Sequence, residues 1–500
     1  MKFYNKILMF FVAVLGLSFL NACDDRLEVD PLYTIDGDSF FNTPSDYDRA
    51  LTGAYDLLQT SYLNMWIGEI ASDNAIAGGE SVTDTPGLHE IEAMTHNGVN
   101  NELRSVFSFN YAGVVRTNYL FSNKDKLDFE GKDEIYAQAH FLRAYYYFQL
   151  VKYFGDVPLI LDRLISEEES TSLERTPASQ VYEQIEIDLK AASAGLDWTN
   201  SVKGRVTKGA ALGLLGRVYL YQDKFDDAAI VLDSVIDMGP YSLINSTTSE
   251  EYADLFSVNQ EGNSESVFEI QYSGQEGGSY GCLVCLEGFA AVGFQGIRQY
   301  TGPEYGDGNS YNLPTQDLYD AFDPSDIRRD GTVLDIDAFI AEQDNPGDIS
   351  YAIGGGGHTG FYNNKYIKRL DELGLPDNDL TSPVNYRLLR LPDIYLMAAE
   401  AHNRKSAPND VKALEYLNDV RARVSMLDLS LSGQALTEAI WQERRYEMSG
   451  EGFRFWDLVR TGRAASEIEG FVEGKNELFP IPQIEIDLAG GNWSQNPNYN

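Results

Sequence analysis

The sequence predicts a mainly α-helical chain, a superhelix of helix pairs packed beside an irregular, loop-rich half. Three observations predict it. Apolar residues recur at i, i+3 and i+4 along much of the chain; one 34-residue stretch carries the small-and-large pattern of a repeated helix pair; and the middle third has no sustained period and is rich in glycine and aromatic residues. The 500 residues are 43% hydrophobic and 12% aromatic, enough to bury a large core, which excludes a disordered or fibrous chain. Against 77 acidic residues stand 38 basic ones, and a net charge of -39 repels phosphate backbones, so nucleic acid is not an expected partner. Three cysteines cannot make a disulfide framework, and five histidines offer little for a soft-metal site, so no cofactor is expected.

At the N-terminus, Lys2 and Lys6 flank the start of an apolar run from Ile7 to Leu20, and the chain then reads Leu20, Asn21, Ala22, Cys23, Asp24, Asp25. A membrane-spanning helix needs about 20 apolar residues. This run is shorter and stops at a small residue followed by cysteine, as a cleaved export signal does. Leu20, Ala22 and Cys23 resemble a bacterial lipobox, so residues 1–22 are read as a signal peptide and Cys23 as the lipidated N-terminus. Removing the signal brings the formal charge to -41 and leaves a protein anchored to a membrane without crossing it.

Residues 23–500 are read as one domain. Its helix-pair scaffold is expected mainly in 39–62, 134–240 and 385–460, and its irregular, ligand-binding part mainly in 63–110 and 267–384. The first helix shows in Tyr47, Ala50, Leu51, Ala54, Tyr55 and Leu58, a single apolar stripe. Tyr136 to Phe154 repeats the pattern with Ala137, Phe141, Ala144, Tyr145, Phe148 and Val151, and Gly155 and Pro158 end it. Ser179 to Leu196 follows, with Thr176 and Pro177 placed to start it. The next pair matches a tetratricopeptide repeat: Leu212, Leu215, Gly216 and Tyr219 on the first helix, then Ala228, Leu232, Val235 and the terminating Pro240. A weaker pair runs from Leu391 to Val424 through Ala398, Ala399, Ala401, Ala413, Leu417 and Val420. Such pairs cannot bury their apolar faces alone, so about four are expected to stack.

Between these pairs, Val267 to Tyr272 reads as a short strand and Ser273 to Asn312 as a long loop region, the leading place for function because compact domains seldom carry such loops idle. Tyr280, Phe289, Phe294, Tyr300, Tyr305 and Tyr311 lie there, among ten glycines from Gly274 to Gly308. Rings on such loops can offer flat faces to the C–H faces of sugars, while Gln295, Arg298, Gln299 and Asn309 could bond hydroxyls. Trp66, at the tip of another irregular segment from Ser61 to Gly79, is a further ligand-binding candidate.

Other motifs carry less. Cys282 and Cys285 form a CxxC in glycine-rich surroundings, without two further zinc ligands or a helix start, so a local disulfide or two buried thiols is expected. Gly354 to Gly357 lacks the lysine of a phosphate cradle and reads as a flexible loop. His89 and His96 are too far apart to aim at one metal from one helical turn, and there is no HExxH. With so many carboxylates, pairs such as Asp335 and Asp337 have no weight as glycosidase machinery. The same abundance leaves room for a structural calcium ion, yet no DxDxDG-type loop localises one. Arg444, Arg445, Glu447, Glu451, Arg454 and Asp457 read as a structural network closing the scaffold.

Taken together, these segments resemble the SusD/RagB-type outer-membrane lipoproteins of the Bacteroidetes group. The resemblance rests on the lipobox at Cys23, SFFNTPSDYDRALTGAYDLL from Ser39, AQAHFLRAYYYFQLVKYFGDVPLI from Ala137, and FDPSDIRRDGTV from Phe322. It continues through NYRLLRLPDIYLMAAEA from Asn385, ERRYEMSGEGFRFWDLVRTGR from Glu443, LFPIPQIEID from Leu478 and QNPNY from Gln495. It implies four tetratricopeptide-like pairs beside an irregular half. It also implies a lipid-anchored protein at the cell surface that is not an enzyme, captures oligosaccharides or in some members peptides, and partners a SusC-like, TonB-dependent transporter. Two other readings stay open on the residues alone: a peptide-binding uptake lipoprotein and a surface glycosidase using paired carboxylates.

Overall fold

The computed structural model describes residues 40–278, 285–372 and 380–499. The signal segment, Cys23, Tyr280 and Cys282 lie outside the described residues.

Helix α1 (Pro44–Asp56) begins where Asp46 accepts hydrogen bonds from the Thr43 backbone and hydroxyl, with Pro44 in the first turn. A 3₁₀ turn leads into α2 (Tyr62–Ile70). Here the structure departs from the sequence reading, which left 63–110 irregular. That span holds α2, strand β1 (Ala75–Gly78) and the start of the 22-residue helix α3 (Asn101–Ser122). The α3 start is legible in the sequence, since the Asn100 side chain caps it by accepting from the Glu102 and Leu103 amides. Periodicity misses α2 because it is buried on nearly every side.

The scaffold continues through α4 (Lys132–Phe154), ended by Gly155, and α5 (Ala178–Gly195). The α5 start differs from expectation. Thr176 pairs with Val157 in a bridge, and the Asp156 carboxylate accepts from the Ala178 amide instead. Helices α6 (Lys208–Leu220) and α7 (Phe225–Met238) are the predicted repeat. Leu215, Tyr219, Ala228, Leu232 and Val235 are buried in their contact, and Gly216 lies so close to Leu232 that any side chain there would collide with it.

The chain then leaves the stack. Strand β2 (Ser266–Ile270) leads into the irregular half, which holds the short helix α8 (Ala290–Gln295), β3 (Ile297–Arg298), β4 (Asp307–Gly308), β5 (Tyr311–Pro314), β6 (Val333–Asp335) and β7 (Phe361–Asn363). It returns along β8 (Tyr386–Arg390), which pairs antiparallel with β2 and pinches the insertion shut at Ile270 and Tyr386. The other pairings are β1 with β5 and β6 with β7, both antiparallel, and β3 with β4, parallel. From β8 the chain enters α9 (Leu391–Arg404), then α10 (Asp410–Ala422), α11 (Gly433–Met448) and α12 (Arg454–Arg460). Successive helices pack side by side, α3 on α4 on α5 on α6 on α7, then α7 on α9 and α9 on both α10 and α11. The tetratricopeptide-like superhelix is therefore continuous in space although broken in sequence.

A buried ionic joint fastens the insertion to the scaffold. Glu447 accepts from Arg328, Arg390 and Arg423, and Glu451 from Lys365 and Arg390, both at 2.7 Å. Burial acts to raise the Glu447 pKa, but Arg423, Arg390 and Arg328 outweigh it and hold the carboxyl far below its ordinary range. Arg444 pairs with Asp393 and Asp457, while Arg445 and Arg454 both reach Asp73. The six charged residues from Arg444 to Asp457 thus form the structural network expected of them.

Candidate functional site

Three segments of the irregular half meet at one rim: 78–85 after β1, 298–309 between β3 and β5, and 349–358. The backbone joins them. Gly79 N–H donates to the Ser310 carbonyl, Ala352 N–H to the Arg298 carbonyl, and Gly355 N–H to the Glu80 carbonyl. The glycine run is specified by this contact and is no free loop, since a β-carbon at Gly354 or Gly356 would strike the carbonyl of Gly79 or Gly78.

The predicted rings fall into three places. Trp66, Phe294 and Tyr311 form one cluster, with Trp66 to Phe294 at 5.1 Å, Phe294 to Tyr311 at 5.6 Å and Trp66 stacked on Tyr311 at 6.1 Å. Tyr300 and Tyr305 pack 6.3 Å apart in a satellite core with Ile297, Leu334 and Tyr362. Phe289 lies in the main core against Tyr272, Tyr366 and Tyr386. Trp66, Phe289, Tyr300, Tyr305 and Tyr311 are all buried; Phe294 alone of the described candidates is half-buried. Trp66 sits inside α2 and not at a loop tip. The sequence shows that these rings cluster with glycine but not which way they face, and face decides whether a ring meets solvent.

The polar groups at the rim gather about Tyr311, which also touches Phe294. Tyr311 donates to the exposed Asp84, with Thr85 beside it. Burial, and then the Asp84 carboxylate, push the Tyr311 hydroxyl above the ordinary phenol range. Arg298 pairs with the exposed Glu80 at 3.1 Å. Gln299 is exposed and Asn309 half-buried, whereas Gln295 is buried, donating to the Tyr366 carbonyl and accepting from Asn312. Half-buried Tyr351 donates to Asp337 and lies 5.7 Å from the His358 ring, two rim groups that sequence reasoning did not single out. Two carboxylates, a guanidinium and an amide at one rim can accept from and donate to hydroxyls.

Other candidates resolve plainly. Cys285 is disulfide-bonded. His96 is buried against the Tyr499 hydroxyl at 2.9 Å, and burial lowers its pKa to about 4. Among the described residues no group of three or more His, Cys, Asp or Glu side chains could hold a metal ion, and no helix is long and apolar enough to cross a membrane.

Against known proteins, the SusD family pattern matches residues 264–499, and the pattern described as starch-binding associating with outer membrane matches residues 27–220. A solved structure of a laminarin-binding SusD-like protein is 33% identical, covers 91% of this chain and 99% of its own, and superposes with a TM-score of 0.82. The chain belongs to the SusD family. Surface glycan-binding protein A from Bacteroides thetaiotaomicron, in complex with laminarihexaose, is 26% identical with a TM-score of 0.80, over 91% of this chain and 99% of that one. The SusD-like protein P2 of Formosa agariphila is 28% identical over 96% of this chain and 97% of its own length.

Proposed function

We propose that this SusD-family protein captures oligosaccharide at the outer surface of the cell and passes it to a SusC-like, TonB-dependent transporter, making and breaking no bond itself. The observation that carries this reading is the match along nearly the full length, at 33% identity, to a protein that binds laminarin. A relative holding laminarihexaose supports the same ligand class, so laminarin is the first glycan to test. The lipobox supports attachment through a lipid on Cys23, and a family named for association with the outer membrane supports that location.

At the rim, Phe294 supplies the ring contact and Asp84, Glu80, Arg298 and Gln299 bond hydroxyls. Buried Trp66, Tyr311, Tyr300, Tyr305 and Phe289 act as backing that keeps the rim rigid, so that little ordering cost is left at binding. Tyr280 stays in the ligand-binding set on its sequence position. Titration calorimetry with laminarihexaose, other neutral oligosaccharides and a peptide panel tests the reading, with a product assay run on the same mixtures. Saturable glycan binding without products is expected. Binding of peptides alone sinks the carbohydrate assignment, and release of shortened glycan points to a glycosidase. Transporter delivery is tested by recovery of a TonB-dependent transporter with the lipidated protein from outer membranes; no recovery removes that step.

A further inference from the structure

Away from the rim, and sharing no residue with it, Asp156, the segment 172–175 and 492–494 line an open groove of about 500 Å³. Half-buried Trp493 forms one wall. Its Nε1 donates to the Leu173 carbonyl at 2.7 Å, which restrains the indole, and its ring lies 6.4 Å from Phe107 at a tilt of 50°. Arg175 stitches the two segments together. Its Nε donates to the Asp156 carbonyl and its Nη1 to the Ser494 carbonyl, both at 2.7 Å, while Nη2 donates to the Phe154 carbonyl and Asn496 Oδ1. That guanidinium is spent on the protein. The charged groups that remain at the surface are the carboxylates of Glu174 and of Asp156, one oxygen of which caps α5 by accepting from the Ala178 amide, both on exposed residues.

This chemistry selects its ligand. Two carboxylates repel an anion, and among the described residues there is no cluster to hold a metal. A purely apolar ligand would have one ring to meet and charged neighbours to desolvate. A neutral sugar suits both features: its C–H face lies on a fixed indole, and its hydroxyls donate to carboxylates that already face water. The volume lies within the range of small-molecule sites.

We propose that this groove is a second glycan-contact site, with Trp493 as its stacking platform and Asp156 and Glu174 as its hydroxyl acceptors. The proposal rests on the carbohydrate reading of the protein, and its test keeps the two apart. The chain has five tryptophans, so 5-fluorotryptophan labelling gives a small fluorine spectrum in which Trp493→Phe identifies the Trp493 signal. With laminarihexaose or another neutral oligosaccharide that gives calorimetric heat, the Trp493 signal is expected to shift saturably. Trp493→Ala and the exposed-site variant Glu174→Ala are each expected to weaken that event by about three- to tenfold, while Phe294→Ala leaves it in place. Calorimetric binding with an unmoved Trp493 signal overturns the groove and leaves the carbohydrate reading standing. No heat and no shift with any neutral oligosaccharide overturns both. A shift given only by lysine-containing peptides overturns the groove as a glycan site.

Discussion

Where Glu447 meets Arg328, Arg390 and Arg423, the insertion is joined to the helices by charge; where Trp66 meets Phe294 and Tyr311, it is joined by rings. The first is buried throughout and the second keeps one half-buried ring, Phe294, and they fail differently. A buried charge needs every partner, because a lone guanidinium in a dry interior cannot recover its hydration. A ring cluster loses area in proportion to what is removed, and a half-exposed member can be trimmed without stranding a charge. A rim meant to meet ligands is better built the second way, with the first holding it in place.

The largest expected effect is at the ionic joint. Glu447→Ala leaves three buried guanidinium groups without their shared carboxylate and is expected to cost about 3–5 kcal/mol of stability, read by denaturant titration. A loss under about 1 kcal/mol would show that the joint is not acting as a unit.

Acid probes the buried charges of the scaffold without mutation. Glu400 and Asp457, where burial opposes the effect but Arg460 and Arg444 prevail, both titrate at about 2. Their folded values lie below their unfolded ones, so the stability they give is complete above roughly pH 4.5 and drains as pH falls toward 2. His96 adds an earlier slope. Its pKa is about 4 when folded against 6.5 for a freely solvated imidazole, so the unfolded chain takes the proton first and stability falls between these two pH values. By pH 4 that loss amounts to about 3 kcal/mol. His96→Gln is expected to flatten the slope between pH 6.5 and 4; an unchanged slope refutes the assignment.

At the ring joint the effects are smaller. Phe294→Ala is expected to weaken glycan binding by about 1–2 kcal/mol with near-normal stability, and unchanged affinity by calorimetry would remove Phe294 from the site. Smallest is Tyr311→Phe. It deletes the bond to Asp84, but Asp84 is exposed and water replaces the hydroxyl, so stability should drop by about 0.5 kcal/mol with glycan affinity retained.

Local pattern made much of the fold readable. The small residues at Gly216 and Ala228 announce a close helix crossing wherever they occur, and an apolar stripe such as Tyr47, Leu51 and Ala54 names its buried face without reference to the rest of the chain. Helix α2 escaped because it is short and buried on nearly every side, Glu69 included, so no exposed polar stripe marks its period. The lipobox, the repeat pair and the charged block from Arg444 to Asp457 are likewise written in the order of residues.

Tertiary structure decided what the order of residues leaves open. Trp66 and Tyr311 lie 245 positions apart in sequence, and only the pairing of β1 with β5 brings their rings into contact. The same holds for Trp493, an isolated ring near the C-terminus until Arg175 draws its segment against 156–175. Side-chain type and local period are properties of neighbours along the chain, so sequence specifies elements and their inner faces. Which ring is sealed in and which keeps an edge in water depends on what the folded chain lays over it, and distant segments supply that cover.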